Sequence, residues 1–126
     1  MKVLDTCVWI EATLATVTGQ RYEHLLQDTD ELIVPTLVYY ELRRWALREY
    51  GIKHADRLQA GLQAATVAPL EAAIALRAAD LTDTYKLSTA DAIIYATALR
   101  HEAQLVTCDA HFKGLPGVEY TPKVPA

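Results

Sequence analysis

Four short apolar runs, each stopped by an acid, a proline or a polar loop, constrain this chain more than any other feature. MKVL stops at Asp5, ELIV at Pro35, ATVA at Pro69, and QLVT runs into a loop that begins CDAHF. Runs this short are too brief for helices and suit buried strands. Between them lie longer stretches whose apolar residues recur every three or four positions, the mark of helices with one buried face. Strand patterns alternating with helical ones predict βα units around a parallel sheet.

The boundaries follow from local signals. A first strand covers 1–5 and a helix runs from Thr6 to about Val17. After Gly19 a second helix covers 20–27, and 31–34 is a strand. Thr36 can cap a helix that runs to Gly51, a residue suited to stopping one. A further helix covers 53–64, a strand 65–68 and an Ala-rich helix 70–83. Ser88 caps a helix from about Thr89 to His101, followed by a strand over 104–107 and a last short one over 118–120. About five strands and six or seven helices result. They form one α/β domain over 1–121, with a tail over 122–126 expected to be extended or mobile.

Composition narrows the function. Of 126 residues 52% are hydrophobic and 22% charged, as in a folded globule. Cys7 and Cys108 are too few and too far apart for a disulfide framework or a zinc motif. No charged leader with an apolar core opens the chain, and no apolar run nears the ~20 residues of a membrane span. A cytoplasmic protein with reduced thiols and no membrane attachment is expected. The net charge of −4 argues against a simple nucleic-acid binder. Yet five of the twelve Lys and Arg residues crowd into 43–57: Arg43, Arg44, Arg48, Lys53 and Arg57. They can track a nucleic-acid backbone or merely form a solvated helix face.

Four acids stand out by position. Asp5 closes the first strand, where it can cap the next helix or serve a site beyond the sheet. Glu41 shares an i, i+4 stripe with Leu37 and Trp45, and an acid on an inward stripe is costly unless paired or metal-bound. Asp91 can complete a capping box with Ser88, but it also shares a face with Ile94, Tyr95 and Ala98. Asp109 follows the strand LVT and can be a turn former. Carboxylates gathered from separate elements repel one another and raise each other's pKa, and a fold keeps such a cluster when cations fill it. Hard oxygen ligands suit Mg²⁺ or Mn²⁺ rather than zinc. Glycine-rich phosphate loops and the GxSxG elbow are absent from the sequence, and His24, His54, His101 and His111 share no metal-ligand spacing.

The order of these segments resembles the PIN-domain nucleases, and among them the VapC-like toxins of type II toxin–antitoxin pairs. MKVLDTCVWIE is similar to the family's first motif, PTLVYYELRRW to its second, LSTADAIIYATAL to its third, and LVTCDAHFKGLPGVE to its last. The resemblance implies a three-layer α/β/α fold with a central, mainly parallel sheet of about five strands. It maps Asp5, Glu41, Asp91 and Asp109 onto the catalytic, metal-binding quartet, with Thr107 and Thr6 as supporting hydroxyls. Two positions depart from it: Cys7 stands where many relatives have Asn or Ser, and His111 stands near where many carry a further acid.

The implied activity is Mg²⁺-dependent hydrolysis of RNA phosphodiester bonds, with Mn²⁺ as a possible substitute, leaving 5′-phosphate and 3′-hydroxyl ends. In such a mechanism two cations can clamp the attacking and leaving oxygens. The implied partners are RNA, contacted through Arg43, Arg44 and Arg48, a VapB-like antitoxin and a second copy of the chain in a homodimer. The antitoxin is expected to lay a segment into an apolar groove, for which Trp9, Tyr39, Tyr40 and Trp45 are candidates, and to send an arginine into the acid cluster. The competing readings are an inactive PIN-like binding module and a Mg²⁺-dependent phosphohydrolase or DNA nuclease.

Overall fold

A computed structural model describes residues 1–125. Five strands form one all-parallel sheet in the order β3-β2-β1-β4-β5: β1 Lys2–Leu4, β2 Leu32–Pro35, β3 Thr66–Ala68, β4 Gln104–Thr107 and β5 Val118–Tyr120. The helices are α1 Thr6–Thr13, α2 Val17–Gln20, α3 Glu23–Leu26, α4 Thr36–Glu49, α5 Ile52–Leu62, α6 Ala72–Tyr85 and α7 Thr89–Arg100. They cover the sheet in the expected three-layer α/β/α arrangement. The central strands are buried on both faces because both carry helices, which is why MKVL, LIV and LVT are apolar without alternation.

Strand order fixes where a site can form. From β1 the chain moves outward through β2 to β3, then crosses back to β4 on the other side of β1 and on to β5. The connections leaving β1 and β4 therefore diverge, and a crevice opens beyond the carboxyl ends of these two strands. Their register pairs Leu4 with Val106, and the Asp5 amide donates to the Val106 carbonyl at 2.9 Å. Asp5 and Thr107 thus leave the sheet side by side.

Three local expectations change. The cap of α4 is Pro35 rather than Thr36, because β2 runs straight into the helix and the fixed proline φ (−60°) turns the chain. The helix expected from Thr6 to about Val17 ends at Thr13, the one expected over 20–27 shrinks to the single turn α3, and a separate turn, α2, forms between them. Gly19 in α2 lies so close to α1 that a Cβ there would meet the Glu11 carbonyl oxygen at 2.0 Å, and α2 ends wedged against that helix. The tail is tied down: the Val124 amide donates to Thr18 Oγ1 at 2.8 Å, and Arg21 Nη1 donates to the Pro122 carbonyl at 3.2 Å. Gly51 separates α4 from α5 at φ +92°, which a side chain rarely adopts.

Candidate metal centre

Asp5 is buried where β1 ends. Its side chain is 4% exposed, yet both carboxyl oxygens have donors. Oδ1 accepts from the Thr6 amide at 2.8 Å, and Oδ2 accepts from Thr107 Oγ1 at 2.8 Å and from Cys7 Sγ at 3.5 Å. Its pKa is raised to about 6, chiefly by burial and in smaller part by the charge of Asp91, against the pull of the Thr107, Thr6 and Cys7 hydrogen bonds.

The other three acids arrive from separate elements. Glu41, in the second turn of α4, accepts from Thr6 Oγ1 at 2.8 Å through Oε1. Thr6 thus grips two acids at once, one with its amide and one with its hydroxyl. Asp91 sits in the first turn of α7, whose Ser88 cap accepts from the Asp91 amide at 3.3 Å. Burial raises the Asp91 pKa, and the charges of Asp109 and Glu41 raise it further, while Ser88 and His111 lower it. Asp91 therefore feels all three other acids: Asp5, Glu41 and Asp109. The Ser88 cap therefore leaves the Asp91 carboxylate beside the other acids, at a helix N-terminus that steadies negative charge.

Asp109 begins the loop beyond β4, and its amide donates to Thr107 Oγ1 at 3.0 Å. One hydroxyl, fully buried, thus links the acid of β1 to the acid of β4. The loop is anchored by Phe112, also fully buried, whose ring meets that of Tyr95 on α7 edge-on at 6.0 Å. This packing sets Asp109 against the first turn of α7.

Two further side chains lie beside these acids. His111 donates its amide to Asp109 Oδ1 at 2.9 Å, and its Nδ1 lies 2.9 Å from that oxygen and 4.0 Å from Asp91 Oδ2. One ligand atom each from Asp91, Asp109 and His111 falls within 4.8 Å of the others. The sequence offers only the short spacing Asp109-Ala110-His111 as a signal, which means nothing until Phe112 is known to pin the loop. Cys7 supplies a weak donor to Asp5 at the position of the missing amide, and its Sγ also lies 3.5 Å from Thr107 Oγ1. Hydrogen bonding with Cys108, burial and the Asp5 charge all hold the Cys7 thiol protonated.

The arginines divide. Arg43 Nη1 is taken up by α5, bonding Asp56 Oδ1 at 3.0 Å and Gln59 Oε1 at 2.8 Å. Arg44 and Arg48 flank a cleft that also contains Thr6 and Glu41. Of the aromatic groove candidates, Trp9 is 8% exposed and belongs to the core. Tyr39 lines a slot between α4 and α5, together with Tyr40, and Trp45 lines two depressions beside α4. No described helix is long and apolar enough to cross a membrane.

Solved structures share this fold. A toxin–antitoxin complex from Klebsiella pneumoniae aligns with a TM-score of 0.82 at 24% identity, covering 94% of this chain and 96% of that one. FitAcB from Neisseria gonorrhoeae aligns with a TM-score of 0.73 at 22% identity, covering 95% and 96%. VapC20 of Mycobacterium tuberculosis, a toxin that cleaves the sarcin–ricin loop, aligns with a TM-score of 0.75 at 17% identity, covering 92% and 95%. Curated proteins returned no sequence match. The sequence matches the PIN domain over residues 2–118, so the chain belongs to the PIN-domain family.

Proposed function

We propose that this chain is a divalent-metal-dependent endoribonuclease, using Mg²⁺ or Mn²⁺, and the toxic half of a cytoplasmic toxin–antitoxin pair. The observation that carries this reading is the burial of the Asp5 carboxylate, which drives its pKa up to about 6, with the charge of Asp91 beside it and those of Asp109 and Glu41 beside Asp91. A fold gains nothing from such repulsion unless a cation joins it. The donor set fits one: carboxylate oxygens dominate, and hard oxygens suit Mg²⁺ and Mn²⁺. Asp5 and Asp91 would hold the tighter ion, and Glu41, Asp109 and His111 would complete the centre. Bound divalent ions offset phosphate charge and make a nearby water more acidic.

The chain's own residues then have definable tasks. Thr107 and the Thr6 amide keep Asp5 ionised and aimed. Thr6 Oγ1 occupies one Glu41 oxygen and leaves the other free to accept a hydrogen from the attacking water. Attack in line at phosphorus breaks the P–O3′ bond, and the leaving oxygen takes up a proton. The products carry 5′-phosphate and 3′-hydroxyl ends.

An apolar depression of about 520 Å³ between α1, α4 and α5, with Leu14, Trp45, Tyr50 and Leu58 in its lining, suits a segment of a VapB-like antitoxin. Trp45 also lines the cleft that holds Glu41, so a cationic side chain from such a segment can reach the acids. Several solved neighbours come from toxin–antitoxin complexes. Homodimerisation belongs to the same reading and is checked by the mass of the purified chain in solution.

The test is cleavage of bulk RNA and of single- and double-stranded DNA by the purified chain, with Mg²⁺, with Mn²⁺ and with a chelator. RNA alone should be cut, the chelator should stop it, and Asp5→Asn or Asp91→Asn should slow it by about 10²-fold or more. Unimpaired cleavage by folded Asp5→Asn, or no cleavage by wild type with either ion, overturns the proposal. The second result leaves a binding module.

A further inference from the structure

Cys7 and Cys108 are the two cysteines of the chain, and both are free. The fold brings them together at the acids. Strand β1 pairs with β4 so that Leu4 faces Val106, and the residues that follow each strand leave the sheet side by side. Cys7, in the first turn of α1, places its Sγ 3.5 Å from Thr107 Oγ1 and 3.5 Å from Asp5 Oδ2. Cys108 follows Thr107 directly, and its thiol shares a hydrogen bond with that of Cys7.

A single buried cysteine behaves as a small hydrophobe and is chemically inert. Two sulfurs in contact can become one covalent link, and here the link would join α1 to the loop beyond β4. Cys108 is 4% exposed whereas Cys7 is half-buried, so the pair opens to solvent on its Cys7 side. Thr107 precedes Cys108 and Asp109 follows it, so a shift of the Cys108 backbone carries both neighbours. Those neighbours include the hydroxyl that bonds Asp5 and the amide that bonds this hydroxyl.

We infer that Cys7 and Cys108 form a reversible disulfide that switches the metal centre off. The oxidant is a small-molecule disulfide. The two cysteine S–H bonds break and one S–S bond forms between Cys7 and Cys108. The S–S bond of the reagent breaks in turn, and both of its halves leave as thiols that carry the two protons and two electrons given up by the chain. Oxidation reaches Asp5 by two routes. The Cys7 sulfur no longer carries a hydrogen, so Oδ2 loses that donor. Drawing Cys108 toward α1 also disturbs the Thr107 hydroxyl, which sets the spacing of Asp5 and Asp109.

A reducing cytoplasm keeps such a pair open, and disulfides in that compartment are mostly transient, catalytic or redox-sensing. The link encloses about 100 residues and restricts the unfolded chain, so the oxidised chain keeps its fold while its site is disabled. The consequence for cleavage rests on the nuclease reading. The disulfide and its effect on cation binding stand without it.

The purified full chain is oxidised with excess cystamine, desalted, and compared with the same chain in dithiothreitol. Denatured samples should show two thiols before oxidation and none after it. Mass spectrometry of a digest should join the Cys7 peptide to the Cys108 peptide within a monomeric chain. The oxidised chain should melt no lower than the reduced one. Its Mn²⁺ affinity, read from the cation-induced rise in melting temperature, should fall by at least about tenfold, and RNA cleavage should fall with it. Dithiothreitol should restore both. Cys108→Ser, or Cys108→Ala if the first fails to fold, should cut RNA as reduced wild type does and keep its Mn²⁺ affinity after the same treatment.

Thiols that stay free in excess cystamine, or a link between two chains, overturn the switch. So does an oxidised chain with unchanged Mn²⁺ affinity, or one that melts lower and loses affinity through unfolding. Equal loss in the treated Cys108 variant places the block on Cys7 alone and also overturns it. If the switch fails while reduced wild type cuts RNA, the nuclease reading stands. If reduced wild type binds Mn²⁺ but cuts no RNA, that reading falls and the Mn²⁺ affinity of the oxidised chain still decides the switch. Reduced wild type without affinity for Mn²⁺ removes both.

Discussion

Thr107 Oγ1 donates to Asp5 Oδ2 at 2.8 Å from a fully buried position, across 102 residues of sequence. The same oxygen accepts from the Asp109 amide at 3.0 Å, so a single hydroxyl sets the spacing of two acids.

Thr107→Val keeps the side-chain shape and removes both bonds. A buried carboxylate that loses a hydrogen bond costs about 1–3 kcal/mol. Urea denaturation at neutral pH should show a loss of that size, and RNA cleavage should fall with it. Thr107→Ser restores the hydroxyl and should recover most of both. Wild-type stability in Thr107→Val would show that the hydroxyl does not hold Asp5.

The pH dependence of stability follows from Asp5. Its folded pKa, about 6, lies above the 3.8 of an ordinary aspartate, so the folded chain binds this proton more tightly than the unfolded one. Below the lower value both states are protonated and no penalty exists. As pH rises through the window between them the folded state loses stability, and above about 6 the ionised group costs about 3 kcal/mol. Asp5→Asn should therefore be more stable than wild type at pH 7 by up to that amount, with a flatter stability profile between pH 4 and 6. Mg²⁺ or Mn²⁺ should raise the wild-type melting temperature at pH 7 and leave that of Asp5→Asn nearly unchanged. A variant less stable than wild type at pH 7 contradicts the assignment.

Much of this was legible in sequence because it is local. Asp5, Asp91 and Asp109 mark element ends, where apolar runs meet polar ones, and Glu41 sits on an inward helical stripe. The parallel sheet follows from four short apolar runs separated by helices. Partners remote in sequence were not legible. The capture of Arg43 by Asp56 depends on how α4 packs on α5, and the contact of Cys7 with Thr107 depends on strands one hundred residues apart. His111 looks idle as one of four histidines with no shared spacing, until the burial of Phe112 shows the loop fixed. Helix ends shifted where tight packing set them, as at Gly19.

Gly19 tests that packing. A Cβ there would lie 2.0 Å from the Glu11 carbonyl oxygen and 2.3 Å from its carbon, and backbone cannot yield as a flexible side chain can. Gly19→Ala should destabilise the fold by about 3 kcal/mol or more, pushing α2 off α1. Gly61, within α5, has nothing within 4 Å of its added Cβ, and Gly61→Ala should stabilise by about 0.5 kcal/mol. Thermal unfolding of the two variants checks both signs.

His111 bears on which ion the centre prefers. Its Nδ1 lies 2.9 Å from Asp109 Oδ1 and within the same 4.8 Å group as Asp91. Imidazole nitrogen is a better ligand for first-row transition ions than for Mg²⁺, whereas carboxylate oxygen serves Mg²⁺ well. If His111 joins the centre, His111→Ala should weaken Mn²⁺ binding by about tenfold and Mg²⁺ binding less. His111→Asp should shift the preference toward Mg²⁺. The midpoint of the cation-induced rise in melting temperature reads each affinity without recourse to catalysis. Parallel losses for the two ions in His111→Ala would instead mean that the imidazole only orients Asp109.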